Sequence, residues 1–112
     1  MQKQTVHLFV FNTLADWEAS FAIAGINNPD LQAQSGRYQV KTVSLTAEPV
    51  TTIGGVRILP DLTLDKLESS AMLILPRGEA WDEGKNSFSN IAVWTSNCRA
   101  ANKLITNSKA LF

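Results

Sequence analysis

The chain is poor in the residues that staple or metallate small proteins: it has one cysteine and one histidine, and its ten Lys and Arg cancel its ten Asp and Glu. One cysteine forms no intramolecular disulfide, and with a single histidine it does not fill the ligand set of a structural zinc site. No metal and no cofactor is expected. The basic residues are scattered and form no stripe, so nucleic acid is not an expected partner. Long apolar runs are also missing. Residues 71–76 are typical of those present, far short of the roughly 20 residues that span a membrane, so no membrane partner is expected. The opening Met-Gln-Lys-Gln-Thr has no apolar core followed by a small-residue cleavage site, and a cytoplasmic location is the expectation.

Hydrophobic residues make up 45% of the 112 and charged residues 18%, a composition suited to one soluble domain with a modest core. Residues 5–12 (TVHLFVFN) are β-branched or apolar at nearly every position, as in a strand buried on both faces, and are expected to be the central strand. In residues 16–24, Trp17, Phe21 and Ala24 recur at helical spacing, with Thr13 as a candidate N-cap and Gly25 as a stop. Residues 26–37 carry Asn-Asn-Pro-Asp and Ser-Gly turn signals. Residues 38–45 alternate and suit a strand nearer a sheet edge. Gly54-Gly55, between residues 50–53 and 56–59, marks a small β-hairpin at the rim. A short helical turn is expected over 61–67, and a second fully apolar strand over 71–75. From Asn86, Phe88, Ile91, Thr95, Cys98 and Ala101 recur three or four apart, predicting a helix over 86–101. Strands alternating with helices give an α/β fold, a three-layer αβα sandwich around a parallel sheet. Ligands of such sheets bind outside the carboxyl ends of the strands, here the loops after Asn12 and Leu75.

Those loops carry a family pattern. The segments TVHLFVFNTLADWEASFAIAGIN, EPVTTIGGVRILPDLTL and LILPRGEAWDEGKN, in that order, resemble the ThiJ/PfpI family of the class I glutamine amidotransferase-like superfamily. The resemblance covers nearly the whole chain and implies a flavodoxin-like sheet. It also implies that Glu18 is the acidic residue beside a cysteine nucleophile, where a partly buried carboxyl shares a proton with a thiolate or positions a water. The alternative is a solvated helix-start carboxylate favoured by the helix dipole. The family's Leu-Pro-Gly-Gly turn, a source of oxyanion-hole amides, stands here as Leu75-Pro76-Arg77-Gly78. If the position of Arg77 requires a left-handed backbone, its β-carbon costs about 1 kcal/mol. Asn12, Arg77, Gly78 and Trp81 are the expected cleft-lining residues.

The family's nucleophile sits on an Ala-Ile-Cys-Gly elbow after a strand resembling Lys103-Leu104-Ile105, a position that falls here near Lys109. The resemblance therefore implies a single, truncated domain over 1–112 with an incomplete sheet and without the usual catalytic cysteine and histidine. Cys98 lacks the small flanking residues of an elbow and lies on the face of the expected helix, as an incidental thiol would. His7, inside the first strand, reads as a hydrogen-bonded core residue.

Three functions are consistent with these residues. The first is a degenerate ThiJ/PfpI protein, related to intracellular protease/amidase and glutamine amidotransferase-like hydrolases and inactive alone. The second is a non-catalytic module that self-associates, as a homodimer or larger, because the edge of strand 71–75 is left bare; it pairs through helix 86–101 or by exchanging residues 103–112. The third is a cysteine-dependent hydrolase or glyoxalase-like enzyme that uses Cys98 or a second chain. A small-molecule substrate is implied without its class, since the family runs several chemistries on one fold.

Overall fold

Val6, His7, Leu8 and Phe9 are all buried, so the strand they form, β1 (Gln4–Phe9), hides both of its faces as its near-continuous apolar run predicts. The computed structural model describes residues 3–79 and 104–106. β1 pairs in parallel with β2 (Tyr38–Ser44) on one side and β6 (Met72–Leu75) on the other. β5 (Leu62–Thr63) extends the sheet beyond β2, and β7 (Leu104–Thr106) extends it beyond β6, giving the order β5-β2-β1-β6-β7. β3 (Val50–Thr51) and β4 (Arg57–Ile58) form a separate antiparallel hairpin around Gly54-Gly55, with Gly55 left-handed at φ 84°. The result is the expected parallel-sheet α/β fold with its small hairpin.

The helix α1 (Asp16–Asn27) differs from its reading in sequence in three respects. Its N-cap is Ala15, with no side-chain cap, and not Thr13. Gly25 lies inside the helix instead of ending it. The face turned to the core carries Ala15, Ala19, Ile23 and Ile26, whereas Trp17 is 65% exposed and Phe21 93%. The Ala15-Ala19-Ile23-Ile26 stripe has the same 4-4-3 spacing that a helix face requires. Its small members let the helix sit close to the sheet, and that displaces the aromatic pair outward.

β2 lies nearer the sheet edge than β1, as expected, with the two-residue β5 outside it at Val43 and Ser44. Two further expectations are corrected. The stretch 61–67 divides into β5 and a 3-10 turn, Leu64–Lys66. β6 is not left bare: Leu73, Ile74 and Leu75 pair with Leu104, Ile105 and Thr106. The helix expected over 86–101 lies outside the described residues. Among the described residues, no helix is long and apolar enough to cross a membrane.

Between α1 and β2 the chain is clasped by side-chain amides. Gln32 donates to the Ile26 and Tyr38 carbonyls at 2.8 and 3.1 Å and accepts from the Tyr38 amide at 3.0 Å. Asn27 accepts from the Val40 amide at 2.9 Å. These bonds satisfy backbone groups at the end of the helix and the start of the strand, where the ladder does not reach.

Candidate functional site at the carboxyl ends of β1 and β6

Beyond β1 the chain stays extended while the Val10 amide donates to the Val43 carbonyl at 2.8 Å, then turns sharply. Thr13 makes the turn with a left-handed φ of 75°, the only such non-glycine residue among those described. A β-branched residue in this region is strained and persists only where its surroundings fix it. Here they do. The Thr13 amide donates to the Thr51 carbonyl at 2.9 Å, and the Thr51 amide donates to the Asn12 side-chain oxygen at 2.9 Å. The Ile53 amide donates to the Leu14 carbonyl at 2.9 Å. On the other side, Leu14 bridges antiparallel to Gly78, and the Ala15 amide donates to the Arg77 carbonyl at 2.8 Å. Residues 12–15 thus splice the hairpin to the turn after β6.

Asp16, the first residue of α1, completes the splice. Its carboxylate accepts from the Thr52 hydroxyl at 2.5 Å and from the Gly54 amide at 2.8 Å, and Thr52 in turn accepts from the Val56 amide at 3.0 Å. The Thr52 bond, then the Gly54 bond, hold the Asp16 carboxyl below its usual value by stabilising the charged form. A β-carbon on Gly54 would lie 2.8 Å from the Asp16 carboxylate, which is why the hairpin tip carries glycine there. Glu18 is half-buried on the same first turn, with its amide donating to the Ala15 carbonyl at 3.2 Å. At 3.6 residues per turn its side chain stands roughly 160° round the helix from Asp16, away from the hairpin.

The turn after β6 is packed and not open. A β-carbon on Gly78 would meet the Phe11 ring at 2.4 Å and the Thr13 carbonyl at 2.7 Å. Phe11 is itself stacked on Phe9, with centroids 5.5 Å apart. Arg77 has no left-handed backbone, so the strain that a side chain at this position would otherwise bring is not present. It is the last glycine of the Leu-Pro-Arg-Gly turn, not the third residue, that excludes a side chain. The bond to Ala15 occupies the Arg77 carbonyl.

The structure places Asn12, Arg77 and Gly78 in the loops at the carboxyl ends of β1 and β6, with Asn12 acting as a clasp for the hairpin, and Glu18 on the first turn of α1. Trp81, Cys98 and the elbow position near Lys109 lie outside the described residues. Sequence reading missed the Asp16 clamp, the left-handed turn at Thr13 and the contact between Gly78 and Phe11. An aspartate opening a helix two residues before Glu18 was a visible signal only for Asp16. Among the described residues, no group of three or more His, Cys, Asp or Glu side chains converges to hold a metal.

The DJ-1/PfpI family model matches residues 4–106. The chain belongs to the DJ-1/PfpI family. Over 93 residues it is 41% identical to a protein of Bacillus subtilis (strain 168) named as an uncharacterized protease, a match covering 74% of this chain and 41% of that one. A solved ThiJ/PfpI family protein of Bacillus anthracis is 35% identical with a TM-score of 0.66, covering 96% of this chain and 51% of the other. A DJ-1 superfamily protein of Agrobacterium tumefaciens, 21% identical with a TM-score of 0.71 and coverage of 91% and 51%, shares the fold. The chain spans about half the length of the DJ-1/PfpI relatives it matches.

Proposed function

We propose that the described residues form the acidic half of a hydrolase-like DJ-1/PfpI site, with Glu18 as its proton-sharing group and the Arg77-Gly78 turn as its amide-bearing wall. This half alone performs no hydrolysis. The observation that supports the reading is the splice itself: the bonds from Leu14 and Ala15 to Gly78 and Arg77 set the first turn of α1 beside the turn after β6. A carboxyl there has a function only if a thiolate or water is delivered to it. Cys98 is the one cysteine of the 112 residues, and it is the thiol that the test addresses.

The test is the rate at which iodoacetamide labels Cys98 at neutral pH, read by intact mass, together with amide and ester turnover by the same sample. Labelling at the rate of a free thiol with no turnover is the expected result. Fast labelling that slows in Glu18→Gln, with turnover, would replace this reading by the cysteine-enzyme one.

A second reading, self-association, is favoured by one observation. Trp17 and Phe21, four residues apart on α1, both point to solvent. We place the contact between two copies on this helix face, since β6 is already paired on both sides.

A further inference from the structure

At the amino ends of the strands, remote from the splice, lies a cavity of about 510 Å³ whose lining includes Lys3, Lys41, Lys66, Glu68, His7 and Ser70. The lysines come from three places: the residue before β1, β2 itself, and the 3-10 turn after β5. His7 and Lys41 are register partners in neighbouring parallel strands, so they share one face of the sheet. Three ammonium groups against the single carboxylate of Glu68 leave this lining with two excess positive charges. Asp61 also acts on His7, but its carboxylate is already taken by the amide and hydroxyl of Thr42, at 2.7 and 3.1 Å.

His7 is only 4% exposed. Its Nδ1 lies 2.6 Å from the Ser70 hydroxyl, which donates its own proton to the Met72 carbonyl at 2.7 Å. Ser70 therefore accepts, the proton sits on Nδ1, and Nε2 is a bare lone pair. No hydrogen bond to Nε2 is formed among the described residues. A buried imidazole with one nitrogen fixed and the other unsatisfied is an unfinished arrangement.

We propose that this cavity binds a small oxyanion of the phosphate class, with Lys3, Lys41 and Lys66 balancing its charge and His7 taking up a proton on Nε2 to donate to it. The uptake balances: one proton from solvent adds to Nε2, the Nδ1 proton stays directed at Ser70, and no other covalent bond changes. Empty, the site keeps His7 neutral, because burial and Lys41 outweigh the attraction of Asp61 and hold its pKa at about 4. An anion in contact reverses that balance. Binding and protonation must then strengthen each other equally.

The test uses the full chain and sulfate, which stays a dianion from pH 4 to 8, with inorganic phosphate and phenyl phosphate as further arms. The chain has a single histidine, so its ring proton signal follows His7 without overlap. Sulfate is expected to shift that signal saturably, to raise the His7 pKa by about one unit for each tenfold preference for imidazolium, and to bind more tightly at pH 5 than at pH 7.5. Lys41→Ala and Lys66→Ala, at exposed positions, should each weaken binding about three- to tenfold. His7→Gln should retain weaker binding that no longer depends on pH over this range. Tighter binding of phenyl phosphate than of phosphate identifies a monoester ligand, and the reverse identifies free phosphate. A signal unmoved by ~20 mM sulfate and phosphate, a concentration that saturates even millimolar binding, would overturn the proposal. So would equal shifts from chloride at matched ionic strength, or lysine variants that bind as the parent does.

Discussion

A methyl group added at Gly78 has no space to occupy, because it would overlap the Phe11 ring and the Thr13 carbonyl. Gly78→Ala should therefore cost about 1–3 kcal/mol of stability by urea unfolding, the usual penalty of overpacking, and Phe11→Leu in the same chain should recover part of it. Asp16 gives a different kind of expectation. Its folded pKa lies below the ordinary aspartate value of 3.8, so the unfolded chain takes up the proton first. The clamp to Thr52 and Gly54 therefore contributes fully above that value and is lost as pH falls through the folded one. Hydrogen exchange at the Gly54 amide should stay protected down to ordinary carboxylate pH in the parent and lose its protection in Asp16→Ala. For His7 the folded pKa is about 4 against 6.5, again with the unfolded state binding more protons, so anion-free protein should lose stability as pH falls from 6.5 toward 4. The ceiling is about 3 kcal/mol, lowered by screening, and His7→Gln should flatten this limb of the curve.

At the level of the elements, α1 shows both what is legible in a sequence and what is not. β1 and β6 could be read from residues alone because burial on both faces forces a near-continuous apolar run, and the hairpin because Gly54-Gly55 suits few other conformations. The family was legible through the order of three spaced segments, the last of which carries the Leu-Pro-x-Gly turn. The direction of α1 was not. Apolar residues surround the helix, so Trp17 and Phe21 compete with Ala19 and Ile23 for the buried side, and only the closeness of the sheet decides. Thr13, the Asp16 clamp and the Gly78 contact were hidden because each depends on a partner far along the chain. Gly25 reads as a helix stop yet sits in helical backbone, and a β-carbon added there would meet nothing within 4 Å. Gly25→Ala should therefore stabilise the chain by about 0.5–1 kcal/mol, checked by the same urea titration in which Gly78→Ala destabilises it.

For the molecule as a whole, the exposed aromatics decide the expected behaviour in solution. Full burial of a Trp or Phe ring removes about 150–250 Å² from water, worth roughly 4–6 kcal/mol gross at 25 cal/mol per Å². Two copies meeting at Trp17 and Phe21 bury four such rings. Sedimentation at micromolar concentration should show a dimer, and Trp17→Glu with Phe21→Glu should give a monomer of unchanged circular dichroism; a parent chain that sediments as a monomer would remove the self-association reading. The position of β1 at the centre of the sheet has one more consequence, in the order of synthesis. Its partners lie 34 residues downstream on one side, from Gln4 to Tyr38, and 66 on the other, from Val6 to Met72. At about 5–20 residues per second on the ribosome, the central strand of the nascent chain waits roughly 3–13 s for its second neighbour, an interval in which a holdase chaperone has an open backbone edge to bind.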